Sequence, residues 1–244
     1  MDLRGKRALV TGGAVRIGRA ICEALAAEGC EVVIHYRRSG ADARSLAAAI
    51  RARGGRALCV RGELTGERAC ERVVAEARRA AGGLDILVNN AAVFHKDSLR
   101  TSTRAKTQAE LDVNLLAPMA MMRAFAARTA KGAIVNLLDR RIASHDLQCL
   151  PYLLSKKALA ALTQSAALEL APGIAVNGVA PGPVLPPPGK GTAYLRDHAG
   201  TVPMARRVTP AEVAAAVVFL LKSEAITGQI VFVDGGQHLL GNGV

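Results

Sequence analysis

Tryptophan is absent from this chain of 244 residues, and aromatic side chains make up only 3% of it. The interior must therefore be built from Ala, Val, Leu and Ile, which half-hydrophobic composition allows. Cysteine is sparse and unpaired in pattern: five residues, at 22, 30, 59, 70 and 149, with no Cys-x-x-Cys. An odd, scattered set fits the reduced thiols of a cytoplasmic protein better than a disulfide framework or a zinc site, so no metal is expected. No apolar run approaches the roughly 20 residues that cross a membrane. The first apolar run begins too close to the amino terminus to leave room for a signal peptide. No internal repeat occurs, and the only biased tract is Pro186-Pro187-Pro188. Positive charge is in excess, at a formal net +12, but it lacks a basic block or interleaved aromatics. Nucleic-acid binding is therefore not expected.

What is present is alternation. Apolar runs of strand length fall at 6–11, 31–36, 56–60, 85–89, 134–138, 173–178 and 229–233. Between them lie Ala-rich helical stretches: from the first turn to about 28, then 41–53, 66–81, 101–130, 151–171 and 210–221, the last with Thr209 as its cap. Strictly alternating strands and helices imply an α/β fold: a single doubly wound parallel sheet of about seven strands, with helices on both faces, spanning 1–244. Residues 185–208, rich in Pro, Gly and charge, read as a loop covering a substrate rather than as a linker.

Three positions in this frame carry chemistry. The first is the turn after strand one, Gly12-Gly13-Ala14-Val15-Arg16-Ile17-Gly18. Its glycines let backbone approach a pyrophosphate at a helix's positive end, which makes Gly12, Ile17 and Gly18 cofactor-binding candidates. Arg16 either reaches a cofactor phosphate or a substrate, or is a solvated loop charge. The second position is the end of strand two, where an acidic residue would bind the ribose hydroxyls of NAD. The chain instead offers His35, Tyr36, Arg37, Arg38 and Ser39. Two adjacent guanidiniums call for an anion, and the 2′-phosphate of NADPH supplies one. The overall positive charge would help attract such a cofactor or an anionic substrate, unless it is a compositional bias. After strand four, Asn90, Ala91 and Ala92 leave room for a ribose, and Phe94 either anchors its loop or offers a stacking face to a flat heteroaromatic ring.

The third position is the densest. Asp139 ends an apolar strand, where open α/β sheets bind ligands. Pro151 opens the next helix, and Tyr152 and Lys156, four residues apart, share one of its faces. A free phenol, with a pKa near about 10, is a poor catalyst at neutral pH. A neighbouring ammonium and a place in a helix's first turn both favour the phenolate. Tyr152 with Lys156 is therefore a sensible proton-transfer pair.

Thr-Gly-x-x-x-x-x-Gly at 11–18, Asn-Asn-Ala at 89–91 and Tyr-x-x-x-Lys at 152–156 together resemble the short-chain dehydrogenase/reductase superfamily over nearly the whole chain. The resemblance implies that Asp139, Tyr152, Lys156 and Asn114 form the catalytic set, with Asn114 bridging to Lys156 through water. It implies adenine contacts from Glu63 and Leu64, where Glu stands for the more usual Asp. It also places Pro181, Gly182 and Val184 over the nicotinamide carboxamide, favours Arg38 over Arg37, and implies a homotetramer with the last strand at a subunit interface.

Most members carry Ser at the position of Asp139. An ionised carboxylate cannot donate a hydrogen bond to a ketone oxygen. A pterin, with C=N bonds and ring nitrogens that must gain protons, suits it better. Gly-Ala-Val-Arg-Ile-Gly at 13–18, His35-Tyr36-x-Arg38-Ser39, Asn-Asn-Ala-x-x-Phe at 89–94 and Asn136-Leu-Leu-Asp139 resemble the pteridine reductases within the superfamily. That likeness implies an NADPH-dependent reductase of a dihydropterin or dihydrofolate, with Phe94, Asp139, Tyr152 and Arg16 at the substrate. Ala92 departs from the Ser often found there. A carbonyl or 3-oxoacyl-type reductase is the alternative, and a non-catalytic dinucleotide sensor a third.

Overall fold

In this computed structural model residues 1–186, 189–191, 193–195 and 200–240 are described. Among them, seven parallel strands form one sheet in the order β3-β2-β1-β4-β5-β6-β7. They are β1 (Arg7–Val10), β2 (Glu31–Tyr36), β3 (Arg56–Arg61), β4 (Ile86–Asn89), β5 (Gly132–Leu137), β6 (Ile174–Pro181) and β7 (Ile230–Val233). Strands such as Ile86–Asn89, buried at every position, explain why the sequence reads as continuous apolar runs rather than as alternation.

Helices cover both faces. α1 (Arg16–Ala27), α2 (Gly40–Ala52) and α7 (Pro210–Lys222) close one face through Ile21, Leu25, Leu46 and Val217. α3 (Glu67–Ala81), α5 (Ala117–Ala126) and α6 (Leu150–Leu170) close the other through Val73, Met121, Phe125 and Ala167. Phe125 is fully buried, and each such side chain withdrawn from water stabilises the fold by roughly 2–3 kcal/mol. Thr209 caps α7 in a capping box with Glu212, as expected from the sequence.

The expected helical region over 101–130 is built of more than one helix. α4 spans Arg104–Leu111 with Thr103 as its cap, and a π-helical turn at Asp112–Leu116 separates it from α5. Pro118 supplies the physical reason: it has no N–H to return to the carbonyl four residues back, so the backbone widens ahead of it.

Strand order reverses between β1 and β4. The crevice at the carboxyl ends of these strands is where such sheets take ligands, and the chemistry-bearing residues gather there. Of the expected substrate loop, 187, 188, 192 and 196–199 lie outside the described residues.

Candidate active site

The turn between β1 and α1 is built from below. Thr11 Oγ1 accepts from the backbone amides of Asn90 (2.9 Å) and Ala91 (3.0 Å), while Asn90 Nδ2 donates to the carbonyls of Thr11 (2.8 Å) and Gly12 (3.2 Å). These bonds lock the end of β4 to the turn. Gly12 has φ +61, and a Cβ on Gly18 would lie 2.2 Å from the Gly12 oxygen, so neither position admits a side chain. No side chain caps α1 and its first turn holds no acid, which leaves its amides free for an anion. Arg16, at φ +57, donates from Nη2 to the Leu185 carbonyl at 3.3 Å and so spans the cleft mouth.

His35 does not stand at the cofactor surface where the sequence reading put it. It is 2% exposed, accepts from Gly12 N at Nδ1 (3.2 Å) and faces the Gly62 carbonyl with Nε2 (3.2 Å). Accepting on one nitrogen fixes the neutral tautomer with the proton on the other. Burial pushes its pKa down to about 4. The side chain supports the glycine turn from beneath. Tyr36 and Ser39 flank the two arginines at the strand's end, and Ser39 makes no capping bond with its side chain.

Arg37 and Arg38 are both exposed. They differ in partner: Arg37 Nε donates to Glu63 at 2.7 Å, and both side chains of that pair are 51% exposed. Glu63, expected at adenine, is thus engaged with Arg37, while Leu64 next to it is buried.

The centre of the cleft is lined by Ile17, Asn90, Ala92, Leu137, Leu138, Asp139, Tyr152, Lys156, Pro181 and Gly182. Asp139 follows β5 and caps a short 3-10 turn at Arg140–Ala143, its Oδ1 accepting from Arg141 N at 2.8 Å. Its Oδ2 accepts from the Tyr152 hydroxyl at 3.0 Å. Two residues the sequence placed thirteen apart are therefore in direct contact. Lys156 is 3% exposed and donates from Nζ to the Leu137 carbonyl at 2.7 Å. Burial lowers its pKa to about 8 against the pull of Asp139 and Glu110.

The expected direction for Tyr152 is reversed. Burial, and then the charge of Asp139, push the phenol well above its ordinary value, with Arg141 opposing. Without cofactor the side chain is a neutral phenol giving its hydrogen to a carboxylate, not a phenolate waiting for a proton.

Asn114, in the π turn, is fully buried. Its Oδ1 accepts from Val93 N (2.9 Å), and its Nδ2 donates to Val93 O (3.0 Å), Glu110 (2.7 Å) and Ser155 (3.1 Å). It ties the loop carrying Phe94 to α6. Phe94 is 43% exposed and meets Tyr152 edge-on, with centroids 4.8 Å apart. That leaves ring surface open, as a stacking role requires. Gly182 passes so close to Asp234 that a Cβ would lie 3.0 Å from its Cα, which seats the Pro181–Val184 segment over the cleft.

One contributor escaped the sequence reading. Arg141 places its guanidinium 5.6 Å from the Phe94 centroid, bonds both Asp139 oxygens through Nη1 (3.3 and 3.2 Å) and donates from Nε to Asp146 at 2.7 Å. Burial works against its charge, yet the two carboxylates hold it above its usual range. The signal was an Asp followed two residues later by Arg after a strand, the pattern of a side-chain-capped turn.

Comparison with known proteins agrees with this geometry. Residues 13–238 match the family described as enoyl-(acyl carrier protein) reductase. Pteridine reductase 1 of Leishmania tarentolae is 35% identical, over 95% of this chain and 96% of that protein. Galactitol 2-dehydrogenase of Agrobacterium fabrum is 35% identical, over 98% and 100%. Among solved structures, the FolM alternative dihydrofolate reductase 1 of Brucella canis, complexed with NADP, superimposes with a TM-score of 0.92 at 34% identity, covering 98% of this chain and 96% of that one. A single parallel sheet with a glycine turn at its reversal point, a Tyr152–Lys156 helix beside it and likeness of this extent lead to one conclusion: the chain is an oxidoreductase belonging to the short-chain dehydrogenase/reductase superfamily.

Proposed function

We propose that the protein is an NADPH-dependent reductase of dihydropterins, with dihydrofolate a further candidate substrate. The observation that carries this reading is the bond from the Tyr152 hydroxyl to Asp139 Oδ2 at 3.0 Å beside an exposed Phe94. Both Asp139 oxygens accept hydrogen bonds, so the residue has none to donate to a ketone. It can instead receive an N–H from a flat heterocycle laid on Phe94. Likeness to a pteridine reductase and to an alternative dihydrofolate reductase supports the same class.

The cofactor fits the residues present. The side-chain-free path over Gly12 and Gly18 and the open start of α1 would hold its pyrophosphate, Asn90, Ala91 and Ala92 its ribose, and Pro181, Gly182 and Val184 its carboxamide. Arg38, with Ser39, would hold the 2′-phosphate, and Arg16 would lie between phosphate and substrate. NADPH supplies the hydride when bound. The chain's own part is the proton: Tyr152 keeps it on its hydroxyl oxygen at neutral pH, Asp139 orients it, and Lys156 sets a buried positive charge behind it. Asn114 fixes the Phe94 loop to the helix of Tyr152. A homotetramer is the assembly we infer, consistent with the half-buried edge strand β7 and the exposed Phe219.

The test is NADPH oxidation with dihydrobiopterin, dihydrofolate and a panel of ketones, for the wild type and Asp139→Ser. Turnover of a pterin or folate, abolished in Asp139→Ser, is expected. Turnover of ketones alone, increased by Asp139→Ser, would replace this reading with that of a carbonyl reductase.

A further inference from the structure

We propose that Arg141 is a positioning residue for the reaction, holding Asp139 as a fixed hydrogen-bond acceptor and, with the same guanidinium, setting the stacking ring of Phe94. The inference rests on the reading above only in taking Asp139 and Phe94 to face the substrate.

Arg141 reaches every part of that constellation. Its backbone amide and its Nη1 bind Asp139 Oδ1 at 2.8 and 3.3 Å, and Nη1 also binds Oδ2 at 3.2 Å. Oδ2 is the atom that accepts from Tyr152, so the carboxylate receives donors on both oxygens and cannot rotate without breaking one of them. The guanidinium carbon lies over the Phe94 ring, 5.6 Å from its centroid, and that ring in turn meets the Tyr152 ring edge-on. Its far side is anchored by Asp146, whose Oδ1 also takes the Gln148 amide at 2.8 Å. A chain of contacts therefore runs from the loop at Asp146 through Arg141 to the acid, the phenol and the ring at once.

The choice of arginine follows from geometry. A planar fork can bind two carboxylates on different edges while its face rests on an aromatic ring. Lysine carries the charge but has a single donor centre and no face, so it can replace only part of this arrangement. The Arg141 side chain remains 27% exposed, which leaves a path from solvent to its place.

The experiment compares Arg141→Met, Arg141→Lys and Arg141→Ala with the wild type, on whichever substrate of the panel the wild type turns over. A wild type that ignores pterins thus refutes the pterin reading and leaves this test standing. Arg141→Met is expected to lose about 10- to 100-fold in kcat, the scale of a misplaced reacting group, while its Kd for NADPH stays within about twofold. Arg141→Lys recovers part of the loss. Millimolar guanidinium, but not sodium at equal ionic strength, raises kcat of Arg141→Ala several-fold. The proposal is overturned if Arg141→Met keeps its kcat, or if neither lysine nor added guanidinium restores any activity. Should the alanine variant fail to fold, the Met and Lys variants decide alone.

Discussion

Replacing Lys156 by methionine should make the cofactor-free protein more stable and catalytically dead. The ammonium is buried beneath the cleft, with the Leu137 carbonyl as its hydrogen-bond acceptor. Its pKa falls from 10.5 to about 8 because burial penalises the charge more than Asp139 and Glu110 relieve it. Folding below pH 8 therefore means burying a cation, at a cost of about 3 kcal/mol for a depression of this size. Between pH 8 and 10.5 the unfolded chain binds more protons than the native one, so the penalty fades as pH rises through that window. Methionine keeps the apolar stem but leaves the Leu137 oxygen without this donor, costing about 1–1.5 kcal/mol. The balance is a gain of about 2 kcal/mol near pH 7, or some 4–8 °C in Tm for a chain of this length. Calorimetry on both proteins without NADPH, at pH 7 and again near pH 10, measures it. A destabilised variant at pH 7, or a difference that does not shrink at the higher pH, would refute the reasoning.

Two further outcomes follow from the cofactor side. His35 is neutral in the native state with a pKa near 4, against 6.5 in the unfolded chain, so its contribution is complete above pH 6.5 and is lost as pH falls towards 4. Urea unfolding at pH 7.5 and 4.5 should show about 2–3 kcal/mol of this loss in the wild type and a correspondingly flatter profile in His35→Gln; equal slopes would rule it out. Glu63→Gln releases Arg37 for the 2′-phosphate, and since the broken pair is half exposed the gain is modest. Fluorescence titration should find NADPH bound about two- to five-fold tighter at low salt, with NADH unaffected.

The frame of this molecule is legible in its sequence because the forces that build it are local or periodic. Fully buried strands read as unbroken apolar runs, and the glycine turn is recognisable directly after the first of them. Asp139 and Tyr152 were legible as partners for a different reason, since their neighbours match a known pattern. What stayed hidden depends on side chains meeting across the fold. His35 looked like a cofactor ligand because it sits next to the arginines, but alternation along β2 turns it inward under Gly12. The phenol's direction of shift was misread because Tyr152 and Lys156 share a helix face, whereas a carboxylate thirteen residues upstream is the group that touches the hydroxyl. Arg141 was invisible as a hub until the 3-10 turn brought it back onto Asp139 and over Phe94.

The widened turn at Asp112–Leu116 has a consequence for how this region can vary. One surplus residue in a helix offsets everything beyond it by about 100°. Deleting position 112 or 113 would bring Asn114 one place nearer Glu110 along the chain and swing its amide out from its slot between Glu110 and Ser155. Point substitutions can retune this corner gradually; a lost codon removes its geometry in one step.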